Sequence, residues 1–351
     1  MRIKAVKIVA FLLIGALLFV GFWNVFRFKH AKRLEKLWTL PRDSVDVMFI
    51  GSSHAYMNID PSVLWRESGI SGYVLGSGSQ TMWLTYYQLK EALKSQKPKV
   101  VFVECYKLDY SSRYTKEEVM MKAVTGMRPG RNYLEMMNAS VRDKDHLLDY
   151  MLQFPWFHSR YKEITEEDYM PDYGDVFYRD YLGYHLLTVI APGQQPRDLD
   201  RVTESEPLSD KNMTYLKKIV ELSKEKGFDL VFLITPFWMD AEAKQLYYNS
   251  LAAFAREKGV PVINGNLLYE EIGIDETRDY NPNYHLTVTG AEKMTMYLND
   301  YIKAHWDLED HRGDGRYGVW DRNLELMERI RRDPKAWVRG IHSAEENEIM
   351  N

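Results

Sequence analysis

Residues 46–56 read DVMFIGSSHAY, an apolar run that stops abruptly on Gly51-Ser52-Ser53-His54. A strand buried on both faces reads as a continuous apolar run, and small residues after it let the backbone turn sharply. Open α/β sheets bind their ligands at the edge formed by the carboxyl ends of their strands. The pattern therefore predicts a β-strand from Val45 to Ile50, with Ser53 as a candidate nucleophile. The alternative is a turn whose serines only cap the next helix, because serine is an ordinary N-cap residue.

The rest of the chain alternates strand-like runs with helical patterns. Further strands are predicted at 72–75, 99–105, 228–235 and 260–263, and helices at 62–67, 82–96, 140–151, 213–226, 241–258, 267–272, 289–306 and 319–332. Strands separated by helices predict a mostly parallel sheet with helices on both faces. The expected fold class is therefore α/β.

Composition excludes several classes of protein. The chain has 351 residues, 46 of them basic and 50 acidic, for a formal net charge of −4, and it has no basic stripe, so nucleic acid is not an expected partner. The single cysteine, Cys105, excludes an internal disulfide framework and a cysteine-rich zinc site. We interpret it as a small buried thiol rather than a reactive one. Neither a cofactor nor a metal ion is expected.

The first thirty-odd residues differ in kind from the rest. Ile8 to Phe26 contain no charged residue. The length of this run is close to the roughly 20 residues that cross a bilayer core. No small-residue cleavage site follows, so an uncleaved signal anchor is predicted over residues 1–34. Basic residues lie on both sides of it and give no clear orientation, but the very short leading tail favours a cytoplasmic N-terminus. The expected location is the cell membrane, single-pass, with the globular part extracytoplasmic.

The main domain is expected over residues 35–310, followed by a C-terminal helix and tail over 311–351. Residues from about 107 to 205 break the strand–helix rhythm, and we interpret them as an inserted cap over the functional edge of the sheet. This insertion contains an aromatic cluster between Phe154 and Tyr184. The cluster is either a sugar-stacking surface or the small core of the cap itself.

A candidate base lies late in the chain. His285 follows Ser53 by 232 residues (285 − 53) and precedes the helix predicted at 289–306. A serine needs a base to remove its proton, and the ordinary pKa of histidine suits it to that task. The glycine-rich turn Gly76 to Gln80 offers backbone N–H groups for a developing oxyanion. His54, beside Ser53, would point to the opposite side of an extended chain, so we expect a structural role for it.

Three short blocks resemble the SGNH/GDSL hydrolases. They are Gly51-Ser52-Ser53 (block I), Gly76-Ser77-Gly78-Ser79-Gln80 (block II) and Tyr280 through His285-Leu286-Thr287-x-x-Gly290 (block V). Within that superfamily the chain is most similar to the membrane-anchored surface-polymer branch, which includes teichoic-acid D-alanyl transfer and alginate O-acetylation proteins. The resemblance covers roughly residues 45 to 305, interrupted by the insertion.

The resemblance implies a three-layer, flavodoxin-like sandwich with Ser53 as nucleophile and His285 as general base. It also implies that the backbone N–H groups of Ser53 and Gly76 donate to the oxyanion. The block III Asn has no match in Glu104-Cys105-Tyr106-Lys107. Gln80 is a substitute side-chain donor, although an indirect or merely polar role fits it about as well.

The expected triad acid is missing, because the family places it three residues before the histidine and that position is Pro282. Asp279, six residues before His285, is the nearest carboxylate, and many members of the branch carry an Asp at that spacing. Three possibilities follow. Asp279 or Asn283 orients His285, a backbone carbonyl takes the third role beside a Ser–His dyad, or the site is impaired.

Two hypotheses of function remain. In the first, the chain is a membrane-anchored SGNH-type serine esterase or O-acyltransferase that moves acyl groups, most simply acetyl, on a cell-surface polysaccharide or wall polymer through an acyl-Ser53 intermediate. In the second, it is a catalytically silent scaffold that holds a glycan or a membrane-bound O-acyltransferase partner. Fold alone does not separate these activities.

Overall fold

The computed structural model describes residues 2–26, 33–142, 161–162, 164, 182–195 and 198–332. Its α-helices are α1 (Arg2–Phe26), α2 (Arg33–Leu37), α3 (Ser53–Tyr56), α4 (Pro61–Ser68), α5 (Met82–Ala92), α6 (Glu117–Val124), α7 (Arg131–Ser140), α8 (Asp210–Lys226), α9 (Ala241–Lys258), α10 (Tyr269–Ile272), α11 (Val288–His305) and α12 (Gly318–Arg332). The strands are β1 (Val47–Gly51), β2 (Gly72–Gly76), β3 (Val100–Glu104), β4 (Asp229–Ile234) and β5 (Val262–Asn264). Short 3₁₀ helices cover Tyr106–Asp109, Leu199–Arg201, Gly265–Leu267 and Gly315–Tyr317.

The strands form one parallel sheet in the order β2-β1-β3-β4-β5. The chain steps outward from β1 to β2 and then returns to place β3 on the other side of β1. Such a reversal opens a crevice at the carboxyl ends of the two central strands, where α/β sheets bind ligands. Ser53 follows the last residue of β1, Gly51, with only Ser52 between them, and therefore lies at this switch point.

Two separate hydrophobic cores cover the two faces of the sheet. Val47 and Phe49 belong to one core, while Met48 and Ile50 belong to the other, as the alternation of side chains along a strand requires. Helices α5, α8 and α9 contribute to the core of Met48, and helices α4, α11 and α12 contribute to the core of Phe49. The predicted α/β sandwich with a mostly parallel sheet is confirmed.

Most predicted elements are observed with small shifts at their ends. The first strand starts at Val47 rather than Val45, and the helix predicted to reach residue 96 ends at Ala92. The helix predicted over 140–151 is not observed as such, because Ser140 is the last residue of α7 and residues 143–151 lie outside the described residues. Helices α6 and α7 were not predicted from the sequence.

Two of the described parts of the predicted insertion lie in different places. Helices α6 and α7 pack beside α5 in the helix layer, where Trp83 Nε1 donates to Thr115 Oγ1 at 2.7 Å. Residues 182–195 instead begin beside the outer strand β2, where Val74 N donates to Leu182 O at 2.9 Å, and reach Tyr280, whose carbonyl accepts from Ala191 N at 2.9 Å. The aromatic cluster predicted at 154–184 lies outside the described residues, apart from Tyr161 and Tyr184.

Among the residues that the structure describes, no helix is both long enough and apolar enough to cross a membrane.

Candidate active site

Ser53 is presented by a tight strand-to-helix turn. Strand β1 ends at Gly51, and Ser52 caps α3 through its Oγ, which accepts a hydrogen bond from His54 N at 3.3 Å. The capping role therefore belongs to Ser52. Ser53 is the first residue of α3 and is half-exposed at the crevice, so its hydroxyl remains available for chemistry.

A buried carboxylate, which the sequence interpretation missed, holds this turn in place. Glu104 Oε2 accepts from Ser52 N at 2.8 Å and from Ser52 Oγ at 2.7 Å, and its Oε1 accepts from Tyr106 N. Burial raises the pKa of Glu104, while the hydrogen bonds from Ser52 oppose that rise. A Cβ on Gly51 would lie 2.6 Å from Glu104 Cβ, so Gly51 makes room for the contact. Glu104 ends β3, where block III was expected. The acidic residue at that strand end was therefore the sequence signal that could have revealed its contact with the turn.

The predicted oxyanion donors lie at the paired ends of β1 and β2. Gly76 is in register with Gly51, and a Cβ on Gly76 would lie 2.2 Å from Gly51 O. Gly76 also has φ 155°, so glycine is required there for space and for conformation. The N–H of Ser53 lies in the first turn of α3 and has no acceptor within that helix. Both backbone groups therefore lie at the ends of β1 and β2 where candidate oxyanion donors are expected.

Gln80 braces the turn after β2. Its Oε1 accepts from Ser77 Oγ at 2.9 Å and its Nε2 donates to Thr85 Oγ1 at 3.1 Å, with the side chain fully buried. In the described part of the chain, no hydrogen bond joins Gln80 to Ser53 or His285. The geometry thus favours the indirect role that the sequence left open for Gln80.

His285 is presented by a tight loop whose ends are joined by an antiparallel bridge between Tyr280 and Leu286. Within the loop, Tyr284 N donates to the carbonyl of Asn281 at 3.1 Å, which closes a β-turn with Pro282 at its second position. Proline favours that position because its ring fixes φ near the required value. Pro282, which replaces the expected acid, therefore shapes the backbone of this loop.

The loop brings the two candidate catalytic side chains together. His285 Nε2 lies 2.8 Å from Ser53 Oγ, across a separation of 232 residues in the chain. Burial lowers the pKa of His285 to about 4, while a contact with the backbone of Asn283 acts in the opposite direction. The ring is therefore neutral at pH 7, and Nε2 can accept the proton of Ser53.

Asp279 does not occupy the position of a triad acid. Its buried carboxylate accepts from Thr289 Oγ1 at 2.7 Å, from Lys293 Nζ at 2.6 Å and from Asp275 N at 2.8 Å. Thr289 and Lys293 belong to α11, so Asp279 ties the segment just before the loop to that helix. The structure does not bring its carboxylate to His285.

His285 Nδ1 is buried and has no hydrogen-bond partner among the described residues. The backbone of Asn283 acts on this ring, since it raises the pKa of His285. The arrangement is thus a Ser–His dyad without a carboxylate.

The expectation that His54 points away from the site is wrong. That expectation assumed an extended chain, whereas the backbone turns into α3 at Ser53. As a result, the buried ring of His54 packs against the ring of His285, with centroids 4.5 Å apart.

Comparison of the sequence with protein-family profiles and with curated proteins gave no match. In structure, the chain is similar to a protein classed as an acylhydrolase from Bacteroides fragilis, at 15% identity and a TM-score of 0.37 over 79% of this chain and 95% of the other. A GDSL-like lipase from Bacteroides thetaiotaomicron aligns at 13% identity and a TM-score of 0.38, over 79% and 98%. A protein classed as lipolytic, of the G-D-S-L family, from Desulfitobacterium hafniense aligns at 13% and 0.36, over 72% and 97%. All three TM-scores lie below 0.5, so these likenesses assign no function to this chain.

Proposed function

We propose that this chain is an SGNH-type serine hydrolase or acyltransferase acting on ester bonds. The observation that carries the proposal is the 2.8 Å contact between Ser53 Oγ and His285 Nε2 at the switch point of the sheet. A neutral imidazole at that distance is placed to activate a serine hydroxyl. Catalysis by the pair without a carboxylate is a weaker arrangement than a full triad.

The chemistry proceeds in two steps. Ser53 Oγ attacks the carbonyl carbon of an ester, its proton passes to His285 Nε2, and the carbonyl oxygen becomes an oxyanion. The backbone N–H groups of Ser53 and Gly76 are the donors available to stabilise that charge. The C–O bond to the alcohol then breaks, the alcohol leaves with the proton from His285, and Ser53 remains acylated. Water or an acceptor hydroxyl reverses these steps, which gives hydrolysis or transfer.

The proposed substrate is an O-acyl group, most simply acetyl, on a cell-surface polysaccharide or wall polymer. This part of the proposal rests on the resemblance of the sequence blocks to the surface-polymer branch of the SGNH/GDSL hydrolases. A membrane-bound O-acyltransferase is a proposed partner on the same basis.

Covalent labelling tests the proposed function. The full-length chain in detergent should react with a fluorophosphonate probe, because such probes phosphonylate activated serines, and peptide mapping should place the adduct on Ser53. The Ser53→Ala variant should not be labelled, whereas Ser79→Ala, which changes a serine of the neighbouring turn, should react normally. A wild-type chain that resists the probe would contradict the proposal.

We also propose that residues 1–34 attach the chain to the cell membrane, with the globular part extracytoplasmic. Support comes from α1, whose apolar side chains are exposed, for example Phe11 at 76% and Leu17 at 71%. Burying such side chains in lipid is favourable.

Deleting residues 1–34 should move the chain from the membrane pellet to the supernatant of a cell lysate. Leu17→Arg should weaken pelleting, and a substitution at an exposed site outside α1, Lys217→Ala, should not. Recovery of the full-length chain in the supernatant would rule out the attachment.

A second candidate function is a catalytically silent scaffold for a glycan or for a membrane acyltransferase. The observation that favours it is the buried Nδ1 of His285, which has no partner in the described part of the chain. Without an orienting group, the imidazole would be a poor base. The labelling experiment separates the two candidates, since a scaffold needs no reactive serine.

A further inference from the structure

His285 needs an orienting group that neither Asp279 nor the Pro282 position supplies. A histidine that acts as a base must keep one nitrogen aimed at the nucleophile, and a triad acid normally fixes both the ring and its tautomer. Here the Nδ1 atom that would receive such an acid has no hydrogen-bond partner among the described residues. The polar contacts left to the ring are the 2.8 Å contact with Ser53 and the contact with the backbone of Asn283, and neither of them is with a carboxylate.

The ring of His54 covers one face of His285. The two centroids lie 4.5 Å apart with an interplanar angle of 33°. On the other side, His54 stacks on Tyr106 with centroids 3.8 Å apart, and the edge of Phe237 closes the packing at 5.5 Å. His54 is 3% exposed, so its ring is packed on several sides. It therefore presents a fixed surface to the ring of His285.

Asn58 links the His54 ring to the backbone beside His285. Its Oδ1 accepts from the backbone N–H of Leu286 at 2.9 Å, and that donor determines which end of the amide is oxygen. Its Nδ2 therefore donates to Thr235 Oγ1 at 2.8 Å and to His54 Nδ1 at 3.3 Å. One fully buried side chain thus holds the His54 ring and the backbone next to His285.

The hydrogen bond from Asn58 Nδ2 to His54 Nδ1 also assigns the tautomer of His54. Because Nδ1 accepts from Asn58, the proton of the neutral ring lies on Nε2. Burial lowers the pKa of His54 well below its ordinary value, and the charge on His285 acts in the same direction. Lys244 and Lys107 lower it further, and the acidic groups on that side include Asp109, which pairs with Lys244, and Glu104, which acts on Lys107. His54 therefore adds no positive charge beside His285 when that ring takes up the proton of Ser53.

We propose that His54, locked by Asn58, is a positioning residue that orients His285 by ring packing in place of a triad carboxylate. This inference rests on the proposed function, because it assigns a role in activating Ser53. A packed imidazole restrains the ring but supplies no negative charge to stabilise the imidazolium. The dyad is thus oriented without the electrostatic help of an acid.

The test is a double-mutant cycle on the rate of fluorophosphonate labelling of the full-length chain. We expect His54→Ala to slow labelling about 100-fold, since a small misplacement of a catalytic group costs about that much. His54→Phe keeps the flat ring and should stay within about tenfold of wild type. In a His285→Ala background, His54→Ala should have no further effect, because the ring that it orients is gone.

His311→Ala is the matched control. The ring of His311 stacks on Tyr317 with centroids 4.0 Å apart, much as His54 stacks on Tyr106, but it contacts Asp46 at the opposite end of β1 from Ser53. This variant should lose stability and keep its labelling rate.

The outcomes separate the inference from the proposed function. Equal labelling of His54→Ala and wild type, or equal effects of His54→Ala with and without His285, would overturn the inference alone. Absence of labelling in wild type would overturn the proposed function. If His54→Ala does not fold, His54→Phe still decides, since a loss well beyond tenfold would contradict orientation by ring packing.

Discussion

His285→Ala is expected to slow the acylation of Ser53 by roughly 10⁴-fold. The reason is geometric, since Nε2 of His285 is the group hydrogen-bonded to Ser53 Oγ, at 2.8 Å. Without it, the proton of the hydroxyl has to pass to solvent, and the hydroxyl stays a weak nucleophile. The measurement is the second-order rate of fluorophosphonate labelling at pH 7, together with hydrolysis of an aryl acetate.

The pH dependence of labelling in the wild-type chain tests the same role of His285 in a second way. Burial lowers the pKa of His285 to about 4, so the basic form is present above that pH and is lost as the pH falls through it. Labelling should therefore persist at pH 5, where an ordinary imidazole is already protonated. His305→Ala, which removes an exposed histidine from the end of α11, should leave rate and profile unchanged. A His285→Ala chain that labels at the wild-type rate would exclude His285 as the base.

Asp279→Ala is expected to lower the free energy of unfolding by about 3 kcal/mol while changing the labelling rate less than tenfold. The buried carboxylate accepts three hydrogen bonds, from Thr289, Lys293 and the backbone of Asp275. Its loss leaves those donors unpaired, although Lys293 is 35% exposed and water recovers part of the cost. Urea denaturation and labelling kinetics measure the two quantities on the same sample.

This pair of measurements distinguishes a structural carboxylate from a triad acid. Removal of a triad acid costs about 10⁴ in turnover. A loss of that size with unchanged stability would assign Asp279 to catalysis. Asp275→Asn is the matched control. It changes a neighbouring carboxylate whose Oδ1 accepts from Thr277 alone among the described residues, and it leaves the backbone N–H that serves Asp279.

The elements that position the site were predictable from local pattern. β-Branched apolar runs mark the central strands, and glycines at 51 and 76 mark the ends where β1 and β2 meet. The pairing of Ser53 with His285 was also within reach of the sequence, because strand ends and late loops share one edge of a parallel sheet.

The supporting contacts were not predictable in the same way. Glu104 and Ser52 lie 52 residues apart, and Asn58 and Leu286 lie 228 apart, so nothing in the local pattern joins them. The error on His54 has a local cause. Alternation of side chains holds only while a strand continues, and the chain leaves the extended conformation one residue before His54.

The paired glycines at the ends of β1 and β2 bear on the thermodynamics of binding. Gly76 sits where any Cβ would collide with Gly51 O, so nothing but main chain separates the two strand ends. An N–H fixed by the sheet has no rotamers to lose, in contrast to a side-chain amide, which gives up torsional freedom whenever a ligand immobilises it. Donors of this kind need little reorganisation as negative charge develops, because the entropy of arranging them was lost when the sheet formed.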